Sequence, residues 1–153
     1  MIILTILVIL VDFFSKYIVS KLMTVNETIN LIDNFFRITY VKNTGAAFSI
    51  FSNNTILVII ISVVVIGFLL FYIYKNKGNN KLENVSYAFI LGGAIGNLID
   101  RLVYGYVIDF LDFEILSYNA PIFNLADTFI VIGVILFLIN TLRSRYDGNS
   151  SEW

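Results

Sequence analysis

Residues 92–127 read GGAIGNLIDRLVYGYVIDFLDFEILSYNAPIFNLAD. The stretch begins inside one long apolar run and ends at the start of another. Between the two stand Asn97, Asp100, Arg101, Asp109, Asp112, Glu114, Asn124 and Asp127. Carboxylates at the mouths of membrane spans cost free energy to place there, so they are functional suspects by default.

The rest of the chain shares the apolar character of those two runs. Hydrophobic residues make up 58%, charged residues only 14%, and the mean hydropathy is +0.85. Soluble domains carry roughly a quarter charged residues, so this composition belongs to a membrane protein. Four apolar runs, near 2–22, 55–74, 85–104 and 126–142, each approach the ~20 helical residues that a ~30 Å hydrocarbon core requires. The first lacks a basic n-region and a small-residue cleavage site, and it contains Asp12 and Lys16. It reads as a retained span and not as a signal peptide.

Basic residues orient the spans. Lys75, Lys77 and Lys81 fall in the short second connection, and Arg143 and Arg145 follow the fourth span. The positive-inside bias puts both termini in the cytoplasm and the longer connections, 23–54 and 105–125, outside. Within the first of these, residues 35–51, FFRITYVKNTGAAFSIF, read as strand, turn at Asn43-Thr44-Gly45, and strand. Residues 107–116 add a short strand. The expected fold is one all-α membrane domain over 1–153: four transmembrane helices with a small extracytoplasmic β-sheet built from the first outer loop. Residues 146–153 read as a frayed tail.

Two absences narrow the chemistry. Cys and His both number 0, which removes disulfides, thiolate catalysis, the Ser-His triad and the His-Glu-x-x-His zinc route. No metal or cofactor is expected. A net charge of -1 gives no reason to expect a nucleic acid partner. A Ser-Lys dyad with Lys16 or Lys42 as base survives as a minor route. Two close Asp side chains sharing one proton offer the stronger one: the ionised member takes a proton from water while the protonated member hydrogen-bonds a peptide carbonyl.

The polar residues also have structural readings. Asp12 and Lys16 lie one helical turn apart and read first as an ion pair that fixes the first span, with substrate contact as the alternative. Gly93, Asn97 and Asp100 form a stripe along the third span, and Gly92 and Gly96 permit close helix approach. Arg101 reads as the neutraliser of a nearby carboxylate or a lipid phosphate. Asn124 and Asp127 suit a helix N-cap with an acid in the first turn. Asp100, Asp109 and Asp127 all reach the outer face. A small transporter or proton relay using Asp12, Asp100 and Asp127 is the competing function, disfavoured because no inverted repeat or broken midplane helix is visible.

Five blocks in order decide between these readings: DFFSK at 12–16, NTGAAFS at 43–49, GGAIGNLIDR at 92–101, GYVIDF at 105–110 and FNLAD at 123–127. Over nearly its whole length the chain resembles the lipoprotein signal peptidase family, signal peptidase II. The resemblance implies a catalytic pair, Asp109 and Asp127, supported by Asn43, Gly45, Asn97, Asp100, Arg101 and Asn124, with Asp12 and Lys16 stabilising the bundle. It implies diacylglyceryl-prolipoprotein substrates cut just before the lipid-modified cysteine, membrane lipids as surroundings, and cyclic-peptide inhibitors of the globomycin type. It further implies the bacterial cytoplasmic membrane, with the active site near the extracytoplasmic face. Ala120 stands where many relatives carry a Trp. Asp127 occupies a helix first turn, where the macrodipole favours the anion, so Asp109 is the expected proton carrier of the pair. Asp112 and Glu114 are expected to be ordinary surface acids.

Overall fold

The computed structural model describes residues 1–45, 54–76, 80–115 and 118–149. Helix α1 (Ile2–Leu22) is followed by strands β1 (Thr28–Ile32) and β2 (Phe36–Asn43), then helices α2 (Thr55–Asn76) and α3 (Lys81–Tyr104). Strands β3 (Val107–Ile115) and β4 (Tyr118–Asn119) precede helix α4 (Leu125–Asn149). All four helices are long and apolar enough to cross a membrane. Their outward surfaces carry exposed Ile, Leu, Val and Phe, including Ile3, Ile56, Phe68 and Leu142, a pattern stable only where hydrocarbon replaces water.

Helix α3 is the hub and the least apolar span, and its faces explain why. Gly92 lies against Val8 of α1, and Gly96 lies against the Asp12 carboxylate. Gly93 faces the backbone of α4 at Ala126. Small residues on two faces bring both neighbouring helices close, which replaces the hydrophobic drive that lipid cannot supply. The helix starts at Lys81, earlier than its apolar run, because the Asn80 side chain caps the Glu83 N–H at 2.8 Å. It stops at Gly105, which adopts φ 80° and donates its N–H to Arg101 O at 3.1 Å. Only glycine takes that conformation without cost. Gly105→Ala should therefore lower stability by about 1–2 kcal/mol, read as a lower unfolding midpoint in detergent.

The strands form one antiparallel sheet in the order β1-β2-β3-β4, its two central strands coming from different outer connections. The expected small sheet is present, and the strand expected at 107–116 joins it as β3. The β1–β2 turn falls at Asp33-Asn34-Phe35, with Asn34 at φ 55°. The expected turn at Asn43-Thr44-Gly45 begins where β2 ends, with the Gly45 N–H bonded to Asn43 Oδ1 at 3.0 Å. Asp-Asn is a stronger turn signal than Asn-Thr, because both side chains bond locally and tolerate the left-handed region. The expected second strand at 46–51 lies outside the described residues. Helix α4 continues to Asn149, so 146–149, expected to be frayed, remain helical. Backbone bonds propagate a helix past the end of its apolar face at little cost per residue.

Two features of the sheet position the site. A bulge between Ile38 and Val41 sets Val41 opposite Asp109 and Asn43 opposite Val107. Tyr40 turns away from β3, its N–H donating to Glu27 O and its carbonyl accepting from Asn26 N–H. Phe123, just before α4, is tied to β3 by bonds from Phe110 N–H and Leu111 N–H to its carbonyl and from its own N–H to Leu111 O. Strand β3 and the start of α4 are thus clamped together. Val19, Met23, Tyr40, Ile108 and Phe110 pack beneath as a buried apolar cluster joining the end of α1 to the sheet.

Candidate active site

The start of α4 is built around Asn124, which is fully buried. Its Oδ1 accepts the Asp127 N–H at 3.0 Å, and Asp127 Oδ2 accepts the Asn124 N–H at 3.3 Å. This reciprocal arrangement satisfies two backbone donors and aims Asp127 back across the helix end. Both N–H groups of the Asn124 amide are also used: one meets Asp109 Oδ1 at 2.7 Å, the other Asn97 Oδ1 at 3.1 Å.

Asp109 projects from β3 and is 2% exposed. Its second oxygen accepts from Asn43 Nδ2 at 2.8 Å. Asn43 is oriented by Gly45, whose N–H donates to Asn43 Oδ1 at 3.0 Å. Asp127 Oδ1 accepts from Asn97 Nδ2 at 2.8 Å. Both carboxylates line one cavity of about 630 Å³, with Asn43, Asn97, Val107 and Phe123 beside them and Thr128, Ile130 and Val131 of α4 continuing the wall. Three asparagines hold the pair without supplying a proton or a charge, an arrangement that leaves the acids free to exchange protons with a third party.

Burial pushes Asp109 up to about 7. The hydrogen bond from Asn43 opposes that rise, and the neighbouring Asp127 charge adds to it. Asn124 and Lys16 pull it back down more weakly. Asp109 therefore holds its proton through the acidic range and gives it up around neutrality.

Behind this pair sits an ionic cluster. Lys16 Nζ lies 2.7 Å from Asp12 Oδ2, 3.0 Å from Asp100 Oδ2 and 2.9 Å from Asn97 Oδ1. Asp12 Oδ1 accepts the Ala126 N–H at 2.9 Å, and Asp100 Oδ2 accepts the Ile108 N–H at 3.2 Å. The cluster thereby ties α1, α3, β3 and α4 to one point. Lys16 and Asp12 do not line the cavity that holds Asp109 and Asp127. The charge of Arg101 acts on Asp127, Asp109 and Asp100, as expected of a neutraliser, while its guanidinium donates to two backbone carbonyls, Asn97 O at 3.3 Å and Gly45 O at 3.2 Å. Those bonds link the end of α3 to the turn after β2 and support Asn43 from behind.

Asp112 is a correction. It is 5% exposed, not a surface acid. Arg37 Nε and Nη2 each reach one of its oxygens at 3.0 Å, and Thr39 Oγ1 donates to it at 2.7 Å. Arg37 Nη1 also meets Glu114 at 3.0 Å. Burial alone would raise Asp112, but Arg37 and Thr39 hold it below the usual carboxylate range. The signal lay in the cross-strand register, Arg37 facing Asp112, which no local pattern reveals. The apolar cavity wall at Ile130 and Val131 was foreseeable, since both follow Asp127 at helical spacing.

Residues 4–143 match the family model described as signal peptidase (SPase) II. The chain belongs to the signal peptidase II family. Lipoprotein signal peptidases of Halothermothrix orenii and Fusobacterium nucleatum are similar to it, at 47% identity over 90% of this chain and 91% of the first protein, and 46% over 87% and 80% of the second. That of Pasteurella multocida is 39% identical over 90% of this chain and 86% of its own length. A solved bacterial membrane enzyme, obtained by the in meso method at 2.3 Å, superposes with a TM-score of 0.87 at 34% identity, covering 95% of this chain and 89% of that one. A second, at 1.9 Å, gives a TM-score of 0.83 at 35% identity over 92% and 91%. This signal peptidase II is therefore a peptidase and a multi-pass membrane protein. The transporter alternative finds no support among these relatives.

Proposed function

We propose that Asp109 and Asp127 are the catalytic pair of an aspartic endopeptidase. It removes the signal peptide of diacylglyceryl-modified bacterial prolipoproteins, cutting just before the lipid-modified cysteine. One observation carries the reading: both carboxylates face a single cavity and each is held by asparagine amides. Ionised Asp127, favoured by the helix first turn, takes a proton from water as the water oxygen attacks the scissile carbonyl carbon. Asp109 gives its proton to the carbonyl oxygen, forming a tetrahedral diol. Asp127 then passes its proton to the amide nitrogen, the C–N bond breaks, and Asp109 recovers its proton from the diol hydroxyl as the new carboxyl group forms.

Lipid chains and the apolar signal helix suit the wall at Ile130 and Val131, which opens on α4. Asn43, Gly45, Asn97, Asp100, Arg101 and Asn124 support the pair, and cyclic peptides of the globomycin type compete for the same cavity. The basic residues near the span ends support a topology with both termini in the cytoplasm and the site at the extracytoplasmic face of the cytoplasmic membrane.

The pH profile tests the proton assignment. With Asp109 at about 7, kcat/KM for a lipid-modified prolipoprotein should hold below neutrality and fall as pH rises through about 7. Activity undiminished to pH 9 refutes Asp109 as proton donor. Infrared spectra of the free enzyme that show Asp127 protonated and Asp109 ionised overturn the division of roles.

A further inference from the structure

The amides that hold the two carboxylates have a direction, and a buried cation sets it. The two ends of an asparagine side chain occupy nearly the same space, so neighbours alone decide which end is the carbonyl. Asn97 Oδ1 receives two donors, Lys16 Nζ at 2.9 Å and Asn124 Nδ2 at 3.1 Å. Its NH2 is left facing Asp127 Oδ1 at 2.8 Å. Turning the amide over would set NH2 against an ammonium and carbonyl against a carboxylate, replacing two charge-assisted bonds with two repulsive contacts.

The direction passes on to Asn124. One of its N–H groups is taken by Asn97 Oδ1, and the other meets Asp109 Oδ1 at 2.7 Å. Were Asn97 reversed, that first N–H would face another NH2. Lys16 is itself held at 2% exposure with each of its three donors committed, to Asp12, Asp100 and Asn97. Ion-pairing with Asp12 and Asp100 accounts for two of them, and only the third points toward the pair.

We infer that Lys16 is a positioning residue of the reaction: its third N–H fixes the orientation of Asn97 and, through Asn97 and Asn124, makes both carboxylates hydrogen-bond acceptors. The inference rests on Asp109 and Asp127 being the reacting pair. It assigns Lys16 a part beyond stabilising the bundle, exercised without touching substrate.

A double-mutant cycle tests it, using purified enzyme in detergent, a lipid-modified prolipoprotein, and an Asp100→Asn parent, so that once Lys16 is removed the cluster has the same net charge as in the wild type. Relative to that parent, adding Lys16→Met should lower kcat about 100-fold, the scale of misplaced catalytic groups, with KM within about twofold. Lys16→Gln keeps a neutral donor for Asn97 and should recover about tenfold of that loss. When Asn97→Ala is already present, Lys16→Met should cost less than about threefold more, because the group through which it acts is gone. Additive losses, or Gln no better than Met at equal unfolding midpoints, overturn the inference. If the Met variant does not fold, Lys16→Gln is compared with and without Asn97→Ala. A loss that vanishes without Asn97 supports the inference, and an equal loss overturns it. Failure of the underlying dyad looks different, since cleavage would then survive Asp109→Asn or Asp127→Asn whatever stands at position 16.

Discussion

Asp109→Asn and Asp127→Asn should each reduce prolipoprotein cleavage by about 10⁴-fold or more while leaving the protein folded. Asparagine matches aspartate in shape but neither donates an acidic proton nor accepts one, and an aspartic mechanism needs both acts. The folded state survives for different reasons at the two positions. At Asp127 the replacement keeps one carbonyl for Asn97 Nδ2 or the Asn124 N–H, leaves the other donor facing an NH2 at about 1–3 kcal/mol, and loses about 0.3–1 kcal/mol of helix-end electrostatics. At Asp109 both oxygens accept amide donors, so an asparagine leaves one donor facing an NH2, at about 1–3 kcal/mol.

That cost is partly cancelled at high pH. Asp109 sits near 7 when folded against an ordinary value of 3.8, so between those values the folded protein binds the proton and the unfolded chain does not. Wild-type stability therefore falls as pH rises through that window. Asp109→Asn lacks the titration, and the stability gap between the two should close by roughly 3 kcal/mol between pH 5 and pH 8. Unfolding midpoints at both pH values check this. Turnover within about 100-fold of wild type in either variant sinks the dyad, because the remaining carboxylate alone cannot supply acid and base together.

Different parts of this enzyme were visible at different depths of the sequence. The four spans were plain because a bilayer demands length and hydropathy within one continuous segment. Asp109, Asp127 and their asparagines stood out as polar residues where lipid makes polarity expensive. The Asn124 cap was readable because its partner Asp127 lies three residues away. What stayed hidden depended on pairing across distant segments. Nothing near Arg37 announces Asp112, 75 residues on, so the acid looked solvated when it is held by two guanidinium bonds. The bulge that sets Val41 against Asp109 is likewise decided where Tyr40 turns toward Glu27. The turn between β1 and β2 went unread because Asp33-Asn34 drew less weight than the Gly-containing triplet at 43–45, although both lie between apolar segments. The three-way bonding of Lys16 follows from α3 packing against α1, which periodicity along α1 cannot express.

Gly93→Ala should be the most damaging single-methyl change in the bundle. A Cβ at this position would lie 2.3 Å from Ala126 O and 2.8 Å from Ile130 Cγ1. An isoleucine side chain can rotate aside, but a backbone oxygen moves only if the helix moves. Helix α4 must therefore shift away from α3 by roughly 1 Å to restore ordinary contact. Overpacking in a rigid core costs about 1–3 kcal/mol, and the contact here is with backbone, so the upper end is expected. The shift acts on the residue before Asp127. Ala126 N–H donates to Asp12 at 2.9 Å, and Asp127 depends on Asn97, four residues along α3 from Gly93, at 2.8 Å. Displacing α4 stretches both bonds and opens the carboxylate pair, and a 1 Å misplacement of catalytic groups costs about 100-fold in rate. Gly67→Ala in α2 is the matched control, since nothing lies within 4 Å of its added methyl and alanine is the better helix former by about 1 kcal/mol. Activity and unfolding midpoint should both drop for Gly93→Ala and hold or rise for Gly67→Ala. Equal behaviour of the two variants would mean that α3 and α4 are not in backbone contact at Gly93, and the asparagine bridge from Asn97 to Asp127 would lose its geometric basis.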